Sequence, residues 1–184
     1  RLGALNLSQG FPDFPAPQAL LEALSQATLA GHNQYPPGDG ILGLREQLAL
    51  QFQQRDQLQL DPVTQITITP GATIAIFCAI QACITAGDEV IIFDPSYDSY
   101  GPSFELAGGK AVHIALQAPD FRVNWQQVKD LINDQTRMIV VNTPHNPTGT
   151  IWAKQDWLEL IELIRDKNIV VLSDEVYEHQ VFEV

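Results

Sequence analysis

The sequence predicts an α/β fold: a mostly parallel sheet with flanking helices, preceded by an N-terminal arm that belongs to a second, smaller domain. Three observations carry this. Short runs rich in Val and Ile recur with little polar alternation, as strands buried on both faces require. Helical periodicity fills the intervals between them. Strand, helix and strand alternate every 20–30 residues or so, the mark of βαβ units.

The segment from Leu5 to Pro17 carries Gly10, Pro12, Pro15 and Pro17 and reads as an extended arm. A short helix is expected over residues 18–30. A Pro- and Gly-rich loop runs from Tyr35 to Gly40, and residues 44–57 read as an amphipathic helix. The domain division expected is residues 1–31 for the arm and small-domain segment, and 32–184 for an incomplete larger domain. Strands are expected at 66–69, 89–93, 111–115, 138–142 and 169–173, and helices at 72–86, 100–107, 125–132 and 153–167. Gly87 and Asp88 end one helix, and Asn124 is placed to cap the start of another. In the last helix Trp157, Leu160, Ile161 and Ile164 form an apolar stripe suited to a sheet face.

Charge and composition narrow the function classes. Lys and Arg total 10 against 22 Asp and Glu, a net charge of −12. Nucleic acid and anionic membrane surfaces are excluded as partners, since both need basic patches. Hydrophobic residues make up 45% and charged residues 17%, enough apolar side chain to build a core. No apolar run reaches the roughly 20 residues of a membrane span, and no charged-then-apolar leader opens the chain. The longest apolar stretch, residues 74–84, suits a buried helix. Cys78 and Cys83 match neither a metal pair nor a CxxC motif. They are expected as buried free thiols in a reducing, cytoplasmic compartment, with no metal site.

In an open parallel sheet, ligands bind beyond the carboxyl ends of the strands. Four of the five post-strand turns hold polar or aromatic groups: Pro70-Gly71-Ala72-Thr73, Asp94-Pro95-Ser96-Tyr97, Thr143 to Gly149, and Asp174-Glu175-Val176-Tyr177. Each alone has an ordinary reading as a helix start, a turn cap or a packed tyrosine. Together they describe a pocket for a planar, phosphate-bearing ring. Ala72 and Thr73 offer backbone N–H groups at a helix N-terminus for an anion. Tyr97, with Tyr100 nearby, offers an aromatic face. Asp174, at the rim of an apolar interior, needs a cationic or proton-sharing partner, which a protonated ring nitrogen would satisfy. Asn146 and Tyr177 offer donors for a ring oxygen. There is no GxGxxG and no GxxxxGK[ST], so a dinucleotide or nucleoside triphosphate is unsupported.

At these residues the chain resembles the class I aminotransferases, pyridoxal-phosphate enzymes of the aspartate aminotransferase fold. The motifs are Asn142-Thr-Pro-His-Asn-Pro-Thr-Gly149 and Ser173-Asp-Glu-Val-Tyr177, and the likeness runs from Asn6 to Phe182. Asp94-Pro-Ser-Tyr-Asp-Ser-Tyr100 and Tyr177-Glu-His179 look like the methionine or kynurenine–oxoacid branch. The resemblance implies pyridoxal 5'-phosphate as cofactor, an amino acid and a 2-oxoacid as substrates, and a homodimer. It implies that Asp174 keeps the pyridine nitrogen protonated and that Asn146 and Tyr177 bond the ring's 3' oxygen. Tyr97 would stack on the ring, and Ala72 and Thr73 would seat the phosphate. Tyr35 would reach the phosphate of the neighbouring subunit. Gly10 would close over the substrate carboxylate, with Asn146 also on the substrate side.

The family's chemistry needs a lysine that forms a Schiff base. Lys110 precedes a strand, at the wrong edge of the sheet, and Lys129, Lys154 and Lys167 read as surface residues on helices. No catalytic residue is therefore assigned, and the chain reads as an inactive N-terminal fragment. A cysteine-conjugate β-lyase on the same scaffold, or a non-catalytic ligand-binding fragment, are the alternatives. Amino acid preference would depend on Phe11, Phe14 and Tyr100. His145 and His179 are read as structural.

Overall fold

The computed structural model describes residue 10 and residues 12–182. Residues 5–9 of the arm, and Phe11 among the specificity candidates, lie outside the described residues. The chain divides into two compact units, Arg1–Ile66 and Thr67–Val184.

The first unit holds α1 (Gln18–Leu29) and α2 (Leu42–Asp56). No residue of α1 is buried. The anchor of this unit is Arg45 on α2, only 5% exposed. Its guanidinium pairs with Asp39 at 2.8 Å and donates to the carbonyls of Pro62, at 2.8 Å, and Val63, at 3.3 Å. One buried fork thereby ties the loops on either side of the helix to it.

The second unit is the sheet. It contains α3 (Ala72–Cys83), β1 (Glu89–Asp94), α4 (Tyr100–Leu106), β2 (Lys110–Ala115), α5 (Trp125–Leu131), β3 (Thr136–Asn142), α6 (Lys154–Ile164) and β4 (Val170–Asp174). All four strands are parallel, in the order β2-β1-β3-β4. Side chains alternate across the sheet as the pleat dictates. Val90, Ile92, Met138 and Val140 meet Ile76 and Ile80 of α3 and Tyr100 and Phe104 of α4. Ile91, Phe93, Ile139 and Val141 meet Val128 of α5 and Leu160 of α6 on the other face.

The order explains where a crevice must open. From β1 the chain crosses by α4 to β2 on one side. It then returns by α5 to β3 on the other side of β1. With right-handed crossovers the loops leaving β1 and β3 turn to opposite faces, and a gap opens between them at the carboxyl edge.

Local chemistry sets the element ends. Asn124 caps α5 by accepting from the Gln127 N–H at 3.2 Å. Asp156 in the first turn of α6 accepts from the Ala153 N–H at 2.8 Å, and its other oxygen accepts from the Trp125 indole at 3.1 Å, tying α5 to α6. A Cβ on Gly109 would lie 2.6 Å from Cγ2 of Ile84, so only glycine lets β2 enter there.

Several expectations need correction. Residues 66–69 form no strand: none of the four strands pairs with them, and without a ladder an apolar run is not a strand. Edge strands β2 and β4 are only partly buried, because each has a neighbour on one side alone. The stretch 74–84 is not a buried helix: Ile76, Ile80 and Ile84 are buried, whereas Ile74 and Phe77 face outward. Cys78, off the buried stripe, is accordingly exposed, and Cys83, at the edge of the stripe and packed against its cluster, is half-buried. In α6 the packed residues are Trp157, Leu160, Leu163 and Ile164, and Ile161 is exposed. That helix ends at Ile164, so Lys167 lies beyond it in a turn.

Candidate active site

The carboxyl edge of the sheet holds a cavity of about 160 Å³, room for a ring-sized part of a ligand. Ala72, Thr73, Tyr97, Asn146, Asp174 and Tyr177 all line it, together with Ile76, Tyr100, Asn142 and Val176. Six sequence-selected residues from four separate turns therefore face one space. Tyr35 and Gly10 belong to the first unit; both are exposed.

Gly71, at φ +92°, makes the left-handed turn that starts α3. The first helical bond is Ala75 N–H to the Gly71 carbonyl, so the preceding amides of α3, those of Ala72 and Thr73 included, have no helical acceptor and form a positive helix end at the cavity. The Thr73 hydroxyl lies 3.3 Å from the Tyr97 hydroxyl. The Tyr97 ring meets Tyr100 edge-on, with centroids 5.8 Å apart.

Asp174 ends β4 and is 9% exposed. Its Oδ2 accepts from the Tyr100 hydroxyl at 2.7 Å and its Oδ1 from the Val176 N–H at 3.2 Å. Among the described residues it is the one charged side chain lining the cavity. Burial first, and then the hydrogen bond and charge of Asp174, push the Tyr100 phenol far above its ordinary range, so Tyr100 stays a donor.

Asn142, the last residue of β3, sits opposite Asp174 in the ladder. Its side-chain amide donates to the Asp174 carbonyl at 2.9 Å, and its Oδ1 accepts from the Asn146 N–H at 2.7 Å. The loop beyond is braced by His145, 8% exposed, whose Nδ1 lies 2.7 Å from the Thr148 hydroxyl. Burial holds the His145 imidazole below its ordinary value, opposed by a hydrogen bond to the Phe93 backbone.

A family model described as aminotransferase class I and II matches residues 3–184. The chain belongs to the class I and II aminotransferases. It is 48% identical over 176 residues to a methionine aminotransferase from Escherichia coli, covering 96% of this chain and 46% of that protein. A crystal structure described as identifying a methionine aminotransferase function in Escherichia coli superposes with a TM-score of 0.93 at 48% identity, over 96% of this chain and 47% of the other. An N-succinyldiaminopimelate aminotransferase structure from Mycobacterium tuberculosis gives 0.93 at 38% identity, over 98% and 48%. An aromatic-amino-acid aminotransferase from Thermococcus litoralis is 35% identical over 182 residues, 98% of this chain and 47% of that protein. The chain thus spans about half the length of these relatives. Aspartate aminotransferases share its α/β architecture, one from Thermus thermophilus with a TM-score of 0.91 at 35% identity.

Among the described residues no lysine lines the cavity. Lys110 opens β2 at the amino edge and pairs with Glu89 at 2.7 Å, Lys129 lies in α5, and Lys154 begins α6. Tyr100, named from the sequence for the aromatic face and for amino acid preference, also donates its hydroxyl to Asp174, a bond no sequence pattern announces. Asn142 was read only as part of a motif; its position at the end of a buried strand, directly before a polar turn, was the available signal.

Proposed function

We propose that the protein is an amino acid:2-oxoacid aminotransferase dependent on pyridoxal 5'-phosphate, of the methionine or aromatic amino acid type, cytoplasmic and homodimeric. These 184 residues are its cofactor-holding part. The observation that carries this is a cavity lined by the Asp174 carboxylate together with the tyrosines Tyr97, Tyr100 and Tyr177 and the start of α3 at Ala72 and Thr73.

The residues fit the cofactor in kind. Asp174, buried and already holding two donors, would keep a proton on the ring nitrogen. Asn146 and Tyr177 would bond the 3' oxygen, Tyr97 would cover the ring face, and the amides of Ala72 and Thr73 would take the phosphate. Bound there, pyridoxal phosphate supplies an electron sink for charge developing at the substrate α-carbon. Gly10 and Asn146 on the substrate carboxylate, and Tyr35 on the neighbouring subunit's phosphate, complete the proposal. With no lysine on the cavity, this polypeptide alone binds without turning over.

The test is a titration of the polypeptide with pyridoxal 5'-phosphate, followed by circular dichroism induced in the cofactor band. A saturable signal, abolished in Asp174→Ala, is expected; no signal in the unaltered chain refutes the site. Sustained transamination by the polypeptide refutes its inactivity. For the protein isolated from its native source, a sulfur amino acid should yield an oxoacid with its carbon skeleton retained. Pyruvate with ammonia would identify a β-lyase.

A further inference from the structure

Asn142 contacts two parts of the cavity wall that the chain keeps 28 positions apart, Asn146 and Asp174. It is 6% exposed, and both ends of its amide are engaged. An amide is the functional group this place requires, because one partner is an acceptor and the other a donor. A carboxylate would meet the Asp174 carbonyl with no hydrogen to give, and an apolar side chain would leave both partners without their bond.

Apart from the His145 hydrogen bond to the Phe93 backbone, the loop after β3 bonds largely within itself. The His145 N–H donates to the Thr150 carbonyl at 2.9 Å, the Gly149 N–H to the His145 carbonyl at 2.7 Å, and His145 lies 2.7 Å from Thr148. Those bonds give the loop its shape but do not say where it stands against β4. The long contact from the Thr143 N–H to the Asp174 carbonyl, 3.4 Å, is a weak register mark. The Asn142 amide makes the two shorter contacts, 2.9 and 2.7 Å, at the end of the β3–β4 ladder.

We propose that Asn142 is a positioning residue: by bridging the backbone carbonyl of Asp174 and the backbone N–H of Asn146, it sets the separation between the side chain that meets the ring nitrogen and the one that meets the ring's 3' oxygen. This rests on the pyridoxal phosphate reading above. A ring has fixed dimensions, so a shift of one wall against the other loses complementarity without unfolding anything.

Pyridoxal 5'-phosphate titrations followed by induced circular dichroism test this in the unaltered polypeptide, Asn142→Ala, Asn146→Ala and the double variant, each with its thermal midpoint measured. Asn142→Ala is expected to bind about tenfold more weakly. In the Asn146→Ala background the same change should cost much less, because the side chain it positions is gone. Equal losses in both backgrounds, or a lowered midpoint with unchanged affinity, would make Asn142 a structural residue and overturn the proposal. If Asn142→Ala does not fold, Asn142→Asp replaces it; it keeps the acceptor for Asn146 and removes the donor to Asp174, and unaltered affinity there overturns the proposal equally. Absence of binding by the unaltered chain sinks the cofactor reading itself, an outcome separate from unaltered binding by the variants.

Discussion

The hydroxyl of Tyr100 donates to Oδ2 of Asp174 at 2.7 Å, and both side chains are buried. The two residues come from α4 and the end of β4, so the bond spans the sheet's carboxyl edge. It satisfies a buried carboxylate that would otherwise rest on the Val176 N–H alone.

Removing that hydroxyl should therefore act on Asp174. Tyr100→Phe keeps the ring, and should cost stability of about 1 kcal/mol. It should weaken pyridoxal phosphate binding several-fold and alter the pH dependence of the bound cofactor's absorbance. An unchanged spectrum across pH would show that Tyr100 only packs.

Gly109→Ala should destabilise by about 1–3 kcal/mol, because the new methyl falls 2.6 Å from Cγ2 of Ile84 and 3.4 Å from the Asp88 carbonyl. Ile84→Ala removes that Cγ2. The double variant should therefore be more stable than the sum of the single losses, measured by chemical denaturation.

Burial keeps His145 below its ordinary value of 6.5, so the unfolded chain takes up its proton at a higher pH than the folded one. Between those values acid favours unfolding. The stability involved is present above the unfolded value and is lost as pH falls toward the folded one. Denaturation midpoints followed down through pH 6.5 should fall more steeply for the unaltered chain than for His145→Asn.

Arg45→Met should loosen the first unit by about 1–3 kcal/mol, since the Pro62 and Val63 carbonyls lose their donor. Limited proteolysis should then cut residues 57–66 faster than in the unaltered chain. Equal cleavage rates would mean that the buried guanidinium does not hold the segment.

The helices and strands of the second unit were legible to within three residues at either end, because Val- and Ile-rich runs and 3.6-residue periodicity are local signals. Residues 66–69 have the same local look as a strand, and only the absence of a pairing partner separates them. Likewise the composition of α3 speaks of burial, but which of its faces is covered depends on neighbours such as Phe104 that no local pattern names. The site turns were legible because a parallel sheet sends every carboxyl end to one edge. The bonds among them were not: Tyr100 and Asp174 are 74 positions apart, and Asn142 and Asp174 are 32. Nothing in a linear pattern says which hydroxyl will meet which carboxylate.

The alternation along β1, with Val90 and Ile92 turned to α3 and α4 while Ile91 and Phe93 turn to α5 and α6, has a practical corollary for engineering. An insertion of one residue inside that strand would turn the β1 residues beyond it to the opposite face, pulling them out of the layers they now fill. Insertions between β1 and α4, or in residues 143–149, would leave both layers intact. Libraries aimed at a new substrate should therefore be confined to those loops, with the ladder beneath kept constant.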